Sequence, residues 1–214
     1  MAASGISKRK LLQIQIWSRK MKPDERPWAD HGNASDAEIF VVVGRALSCW
    51  EMVESAVAAL FTMITVGDFH APTTPMLRAY SAIVGSQNRV QMVQAALESW
   101  LLSWPDCPLG PNAVSLLKRC RNWAGRRNDI AHGLVDLNLD DARWYLFPSL
   151  YASRGRSLMA NPVPGRPLLH KSDYRYNADI IDDFSREFLE LFNEMNLVTS
   201  ALGEWYRIKI GQQA

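Results

Sequence analysis

The 214-residue sequence predicts an all-α fold, an antiparallel bundle of four long helices with a small β-hairpin before the last helix. Apolar residues recur at helical spacing over four long stretches. Short loops rich in proline and glycine separate the first three stretches, which favours antiparallel neighbours. The stretch before the last helix alternates apolar and polar residues, as a strand does.

The composition fits one globular domain in a reducing compartment. Hydrophobic residues make up 48% of the chain and charged residues 21%, which are ordinary values. Cys49, Cys107 and Cys120 are too few and too irregularly spaced for a disulfide framework. The N-terminal segment has neither a secretory leader nor a membrane span. We therefore expect a cytoplasmic protein without a membrane partner.

The charge is small overall and unevenly distributed. A net charge of +2 argues against a strong, general nucleic-acid binder. Basic residues are nevertheless concentrated in residues 1–26, 118–127 and 154–175, and basic segments of this size could steer an anionic ligand. For residues 1–26, solvated surface charge is the favoured interpretation.

Three regions are expected along the chain: an N-terminal arm over 1–34, a helical domain over 35–208 and a short tail over 209–214. The arm is polar and basic and contains prolines, which disfavour a long helix. Within the domain, about 134–176 are assigned to the hairpin and to a loop rich in arginine.

Four helices are predicted in the domain. The first begins at Ser35, whose hydroxyl caps it and forms a capping box with Glu38, and it ends near Val66. The others are predicted over about 75–104, over about 112–132 and from about 177 onward. Between the last two helices, LVDLNLDDARWYLFPSLY predicts a hairpin around an Asp-Asp turn.

The third helix places an arginine among apolar residues. At 100° per residue, Arg127 falls within the apolar arc, so it is expected to be partly buried and to have a carboxylate partner. The same projection puts Glu54 inside the apolar arc of the first helix and Glu51 at its edge. Glu54 is therefore the first expected partner of Arg127, and Glu51 the second.

The other sides of this helix carry polar residues. Arg126 and Asp129 fall opposite the apolar arc, where solvent is expected. Gly133 is predicted as the C′ residue at which the helix ends. Because glycine destabilises a helix, Gly125 indicates close packing, such as against a second protomer. One further strip, which includes that glycine, carries Arg121, Gly125, Asn128 and His132.

The segment RNDIAH, residues 127–132, resembles the R-x4–6-H motif of HEPN domains, in which a polar residue often follows the arginine. The helical bundle with the motif late in an internal helix is also similar, over roughly 35–208. The resemblance implies a homodimer that brings two motifs together and a metal-independent endoribonuclease that needs no cofactor. Catalytic members occur in toxin–antitoxin and phage-defence systems, so RNA and an antitoxin protein are the implied partners.

The implied catalytic residues are Arg127, Asn128 and His132. RNA carries its own nucleophile, the 2′-hydroxyl, and imidazole suits the role of base at neutral pH. The arginine would stabilise charge developing on the phosphate, and the asparagine would orient the imidazole or contact phosphate. A single histidine cannot easily serve as base and acid, which favours a composite dimer site. The supporting residues are Glu54, Glu51, Arg121 and Arg126.

Two other interpretations stay open at this point. One is a non-catalytic binding module that uses the same groove for a nucleotide, RNA or a protein partner. The other is a structural bundle in which Arg127 and Glu54 only fix the helix register. The chain has no phosphate-binding loop, dinucleotide fingerprint or nucleophile elbow. Its histidines and cysteines lack metal-ligand spacing, so no metal is expected.

Overall fold

The computed structural model describes residues 21–25, 27–67, 75–148 and 174–211. This part of the chain is mostly helical and includes one two-stranded antiparallel sheet, which agrees with the all-α class and the predicted hairpin. The elements are α1 (Asp36–Val66), α2 (Pro75–Ser81), α3 (Ser86–Ser103), α4 (Gly110–Ala131), β1 (Leu134–Asn138), β2 (Arg143–Phe147) and α5 (Ala178–Gly211). Most of the predicted arginine-rich loop lies outside the described residues.

Helix α1 has the start and the end that its sequence predicts. Ser35 has an extended backbone, and its hydroxyl oxygen accepts a hydrogen bond from the amide of Ala37 at 3.1 Å. The predicted capping box is not formed, because Glu38 accepts a hydrogen bond from the side chain of Asn33 instead. At the other end, Gly67 is left-handed with φ of 80°, and its N–H donates to the carbonyl of Met63.

The same helix is the centre of the fold, in contact with the four other helices and both strands. Its Trp50 is fully buried and meets Phe188 of α5 edge to face, with ring centroids 5.1 Å apart. Among the described helices, α1 alone is long and apolar enough to cross a membrane, and 56% of its most apolar window is buried inside the fold. A helix at the centre of a bundle has this same length and composition.

The prediction of a single helix over about 75–104 is wrong, because the helix is interrupted between α2 and α3. Gly85 lies there with φ of 88°, a conformation that glycine adopts at little cost. The break is supported from α3, where Nε of Arg89 donates to the carbonyl of Ile83 at 2.9 Å. That bond supplies a partner for a carbonyl that the interrupted helix leaves without one.

The described part of the N-terminal arm packs onto the domain. Met21 and Ala29 are buried, and Asn33 pairs with Trp144 of β2 through two backbone hydrogen bonds of 3.0 Å. The side-chain oxygen of Asn33 also accepts from the amide of Ala178, at the first residue of α5. The arm segment therefore joins the hairpin to the start of the last helix.

The hairpin has five residue pairs, from Leu134 opposite Phe147 to Asn138 opposite Arg143. Its turn contains the two predicted aspartates and a left-handed alanine. A second bridge, between Leu146 and Tyr176, connects β2 to the segment before α5, so this part of the sheet edge is paired.

Candidate functional site

The motif residues occupy the last turns of α4. Arg127 and Asn128 are helical, and His132 caps the helix with its N–H donating to the carbonyl of Asn128 at 3.1 Å. The imidazole is exposed. Gly133 directly follows the cap at His132 and so lies at the predicted C′ position, without a positive φ. A Cβ there would lie 2.7 Å from a methyl carbon of Leu146, so close packing by β2 explains the glycine.

Arg127 is partly buried, with 26% of its side chain exposed. One terminal nitrogen donates to the side-chain oxygen of Asn128 at 3.3 Å, and the other lies 3.9 Å from a carboxylate oxygen of Glu51. Its Nε is buried and makes no hydrogen bond with any described residue. A guanidinium has five N–H donors in a planar fork, so these two long contacts leave most of its donor capacity unused.

The prediction that Arg127 pairs with Glu54 is wrong. Glu54 binds Arg89 of α3, with 2.7 Å between their nearest nitrogen and oxygen atoms, and also accepts from the indole N–H of Trp50 at 2.8 Å. The carboxylate that faces Arg127 is Glu51, the second expected partner. A helical projection gives the face on which a side chain lies, but the neighbouring helix that meets this face is set by the tertiary packing.

Arg126 and Asp129 are buried, against the solvent-facing position expected for both. They form an ion pair of 3.1 Å, and the Arg126 guanidinium also donates to the hydroxyl of Tyr176 at 2.8 Å and to the carbonyl of Glu25 at 3.4 Å. The hydroxyls of Tyr174 and Tyr176 donate to the Asp129 carboxylate at 3.2 and 3.1 Å. We call these four side chains, Arg126, Asp129, Tyr174 and Tyr176, the buried network.

The buried network lies on the side of α4 where Arg126 and Asp129 were expected to face solvent. Two chain segments, 21–25 and 174–177, lie over it. Burial and the neighbouring carboxylate of Asp129 raise the pKa of Tyr176, so its hydroxyl keeps the proton that it donates. A sequence signal existed in the tyrosines at 174 and 176, because alternate residues of an extended segment share one face and buried tyrosine hydroxyls need partners.

The strip with the motif remains open. Arg121, Gly125 and Asn128 are partly exposed, and a Cβ built on Gly125 meets nothing within 4 Å. The close neighbour expected for this glycine is therefore not found among the described residues of the chain. Gly44 of α1 is equally open, and helical spacing puts it on the same side of α1 as Glu51, which faces Arg127.

Metal and thiol chemistry find little support at this site. Within the described ranges, no three His, Cys, Asp or Glu side chains are grouped to hold a metal ion. The three cysteines are buried and reduced, and burial raises the pKa of Cys120 to about 12. Such thiols are poor nucleophiles.

Comparison of the chain with protein-family models, with curated proteins and with solved structures gave no match.

Proposed function

We propose that this chain is a HEPN-like, metal-independent endoribonuclease that acts as a homodimer through Arg127, Asn128 and His132. The observation that carries the proposal is the state of Arg127. It is a mostly buried guanidinium with two long contacts, and it lies beside an amide and one turn from an exposed imidazole.

Arg127 has the properties of a phosphate ligand. Its planar fork matches two oxygens of a phosphate, and its partial burial strengthens an electrostatic contact relative to water. The Glu51 carboxylate at 3.9 Å is 67% exposed and thus weakly held, so an entering phosphate competes with a weak internal partner. Asn128 offers a second polar contact at the same edge.

His132 supplies the proton chemistry in this proposal. Its imidazole takes the proton of a ribose 2′-hydroxyl, and the 2′-oxygen attacks the adjacent phosphorus. The bond from phosphorus to the 5′-oxygen breaks, and that oxygen leaves with a proton. The products are a 2′,3′-cyclic phosphate and a 5′-hydroxyl end, so the reaction needs no external oxidant or metal.

A second copy of the chain would supply the acid that protonates the leaving oxygen. The open glycines Gly44 and Gly125 lie on the helices that meet at Glu51 and Arg127, and neither would obstruct a close neighbour. Phe40 and Val41 on α1 are large apolar residues more than half exposed, which favours their burial on association. An antitoxin protein that covers this surface, and a cytoplasmic location, are parts of the same proposal.

The test is cleavage of labelled single-stranded RNA in EDTA by wild type, His132→Ala and the control His31→Ala. His31 is also exposed but lies on the arm segment, 3.9 Å from Asp179. We expect wild type and His31→Ala to cleave, leaving 2′,3′-cyclic phosphate ends, and His132→Ala to be inactive. Equal cleavage by all three proteins would refute the assignment of His132.

A non-catalytic binding module is the second candidate, and one observation favours it. The His132 side chain makes no hydrogen bond or ion pair within the described part of the chain, so none of the described residues fixes the rotation of the ring itself. Arg127 alone suffices to bind a phosphate group. RNA binding that depends on Arg127, without cleavage by any variant, would support this module and refute the ribonuclease.

A further inference from the structure

We infer that Asp129 and Tyr176 are positioning residues for the motif, holding the last turn of α4 so that the backbone of Asn128 and His132 keeps one position. The inference rests on the proposed function for its catalytic consequence. It names two residues that touch neither substrate nor reacting atoms and that act through the helix that carries the motif.

The end of a helix needs such support. The last turn of an α-helix lacks the full set of backbone hydrogen bonds and frays readily. In α4 this turn carries the motif, and the motif strip faces outward. Asp129 directly follows Asn128 and precedes His132 by three residues, and it is fully buried. Asp129 is therefore the buried polar side chain through which the rest of the fold can fix the turn that carries the motif.

The anchor is tied to rigid neighbours. Tyr176 donates to the Asp129 carboxylate and accepts from Arg126, so its hydroxyl joins both charged groups. Its backbone exchanges two hydrogen bonds of 2.9 Å with Leu146 of β2. The side chain of Leu146 in turn packs so closely on Gly133 that no Cβ fits there.

These contacts close a ring around the end of α4. Tyr176 binds the Asp129 side chain of the helix. Leu146 packs against the backbone at Gly133, directly after His132. Loss of the Tyr176 hydroxyl removes a donor from Asp129 and an acceptor from Arg126, while the aromatic ring keeps its volume. Tyr176→Phe therefore loosens the turn without opening a cavity.

A matched control separates positioning from stability. Tyr145 is also fully buried, and its hydroxyl donates to the Asp141 carboxylate at 2.6 Å, at the hairpin turn. Tyr145→Phe removes the same kind of hydrogen bond without touching α4. A merely structural role predicts that the two variants behave alike apart from their loss of stability.

The experiment compares Tyr176→Phe with Tyr145→Phe in the full chain by two readouts. NMR follows the side-chain amide of Asn128 and the ring signals of His132, and RNA cleavage gives kcat and KM. We expect Tyr176→Phe to displace both sets of signals and to lower kcat roughly tenfold, with KM within about twofold of wild type. We expect Tyr145→Phe to lower the melting temperature and to leave the signals and kcat unchanged.

Unchanged Asn128 and His132 signals in Tyr176→Phe, or equal displacement in both variants, would overturn the inference. If wild type cleaves no RNA, the ribonuclease proposal fails, while displaced signals confined to Tyr176→Phe still support the positioning role. If Tyr176→Phe does not fold, Tyr174→Phe takes its place. That variant removes one hydrogen bond from Asp129, and the same signals decide the outcome.

Discussion

The ion pair between Arg89 and Glu54 makes a quantitative stability test. Arg89→Met would leave the Glu54 carboxylate, 14% exposed, with the indole of Trp50 as its remaining neutral donor. Breaking a fully buried pair costs about 3–5 kcal/mol. Arg89 is 28% exposed, so water reaches the site, and we expect a loss of about 2–3 kcal/mol in the free energy of unfolding.

The matched substitution is Arg127→Met, which removes the same functional group from α4. Its carboxylate partner, Glu51, is exposed and 3.9 Å away, and such pairs contribute about 0–1 kcal/mol. In thermal unfolding, 1 kcal/mol corresponds to roughly 2–4 °C for a chain of this size. We expect Arg89→Met to lower the melting temperature by roughly 4–12 °C and Arg127→Met by less than about 4 °C.

A double-mutant cycle checks the cause. In a Glu54→Gln background no carboxylate is left without its cation, so Arg89→Met should cost markedly less than it does alone. An undiminished cost would show that Arg89 stabilises the fold through its hydrogen bond to the Ile83 carbonyl and not through the ion pair. If Arg127→Met destabilised as much as Arg89→Met, Arg127 would be a structural cation, and its loss of activity would say nothing about chemistry.

Three further outcomes are expected. Gly125→Ala should raise the free energy of unfolding of the monomer by about 1 kcal/mol in urea titrations, since its Cβ meets nothing within 4 Å; a decrease would contradict the open surface. The hydrogen bond from Tyr145 holds the pKa of Asp141 below its usual value, so this stabilisation is present above about pH 4 and lost below it. Melting temperatures of Asp141→Asn should therefore fall less than those of wild type between about pH 4 and pH 2, and parallel curves would refute the linkage. Because Cys120 is buried with a pKa of about 12, a thiol reagent at pH 8 should modify it only after unfolding; rapid labelling of the folded chain would contradict its burial.

Local signals in the sequence were sufficient for most of the fold. The cap at Ser35, the start of α5 next to Asn177 and the hairpin around its Asp-Asp turn each depend on neighbouring residues, and all three are present. The break at Gly85 is different. A glycine inside a periodic stretch is compatible with a continuous helix, and here the break is supported by Arg89, a contact that periodicity does not specify.

Only the features of the site that depend on the sequence of α4 itself could be predicted. Projection of α4 gave the partial burial of Arg127, because apolar neighbours on the same face determine it. It gave the wrong first partner, because the Glu54 side of α1 meets α3. It put Arg126 and Asp129 on the solvent side, whereas both are buried, because the segments that cover them are distant in sequence.

Two consecutive arginines fit the spacing of the motif, and only the tertiary structure distinguishes them. Arg126 precedes His132 with five intervening residues and Arg127 with four, so R-x4–6-H accepts both. Arg126 is 7% exposed, and its guanidinium is bound to Asp129 and Tyr176. These contacts leave the guanidinium no access to a ligand. Arg127, one residue and 100° further round the helix, has long contacts and reaches the open strip. Within the proposed function, the burial of Arg126 leaves Arg127 as the candidate anion ligand. We therefore expect Arg126→Met to lose the fold and Arg127→Met to lose function.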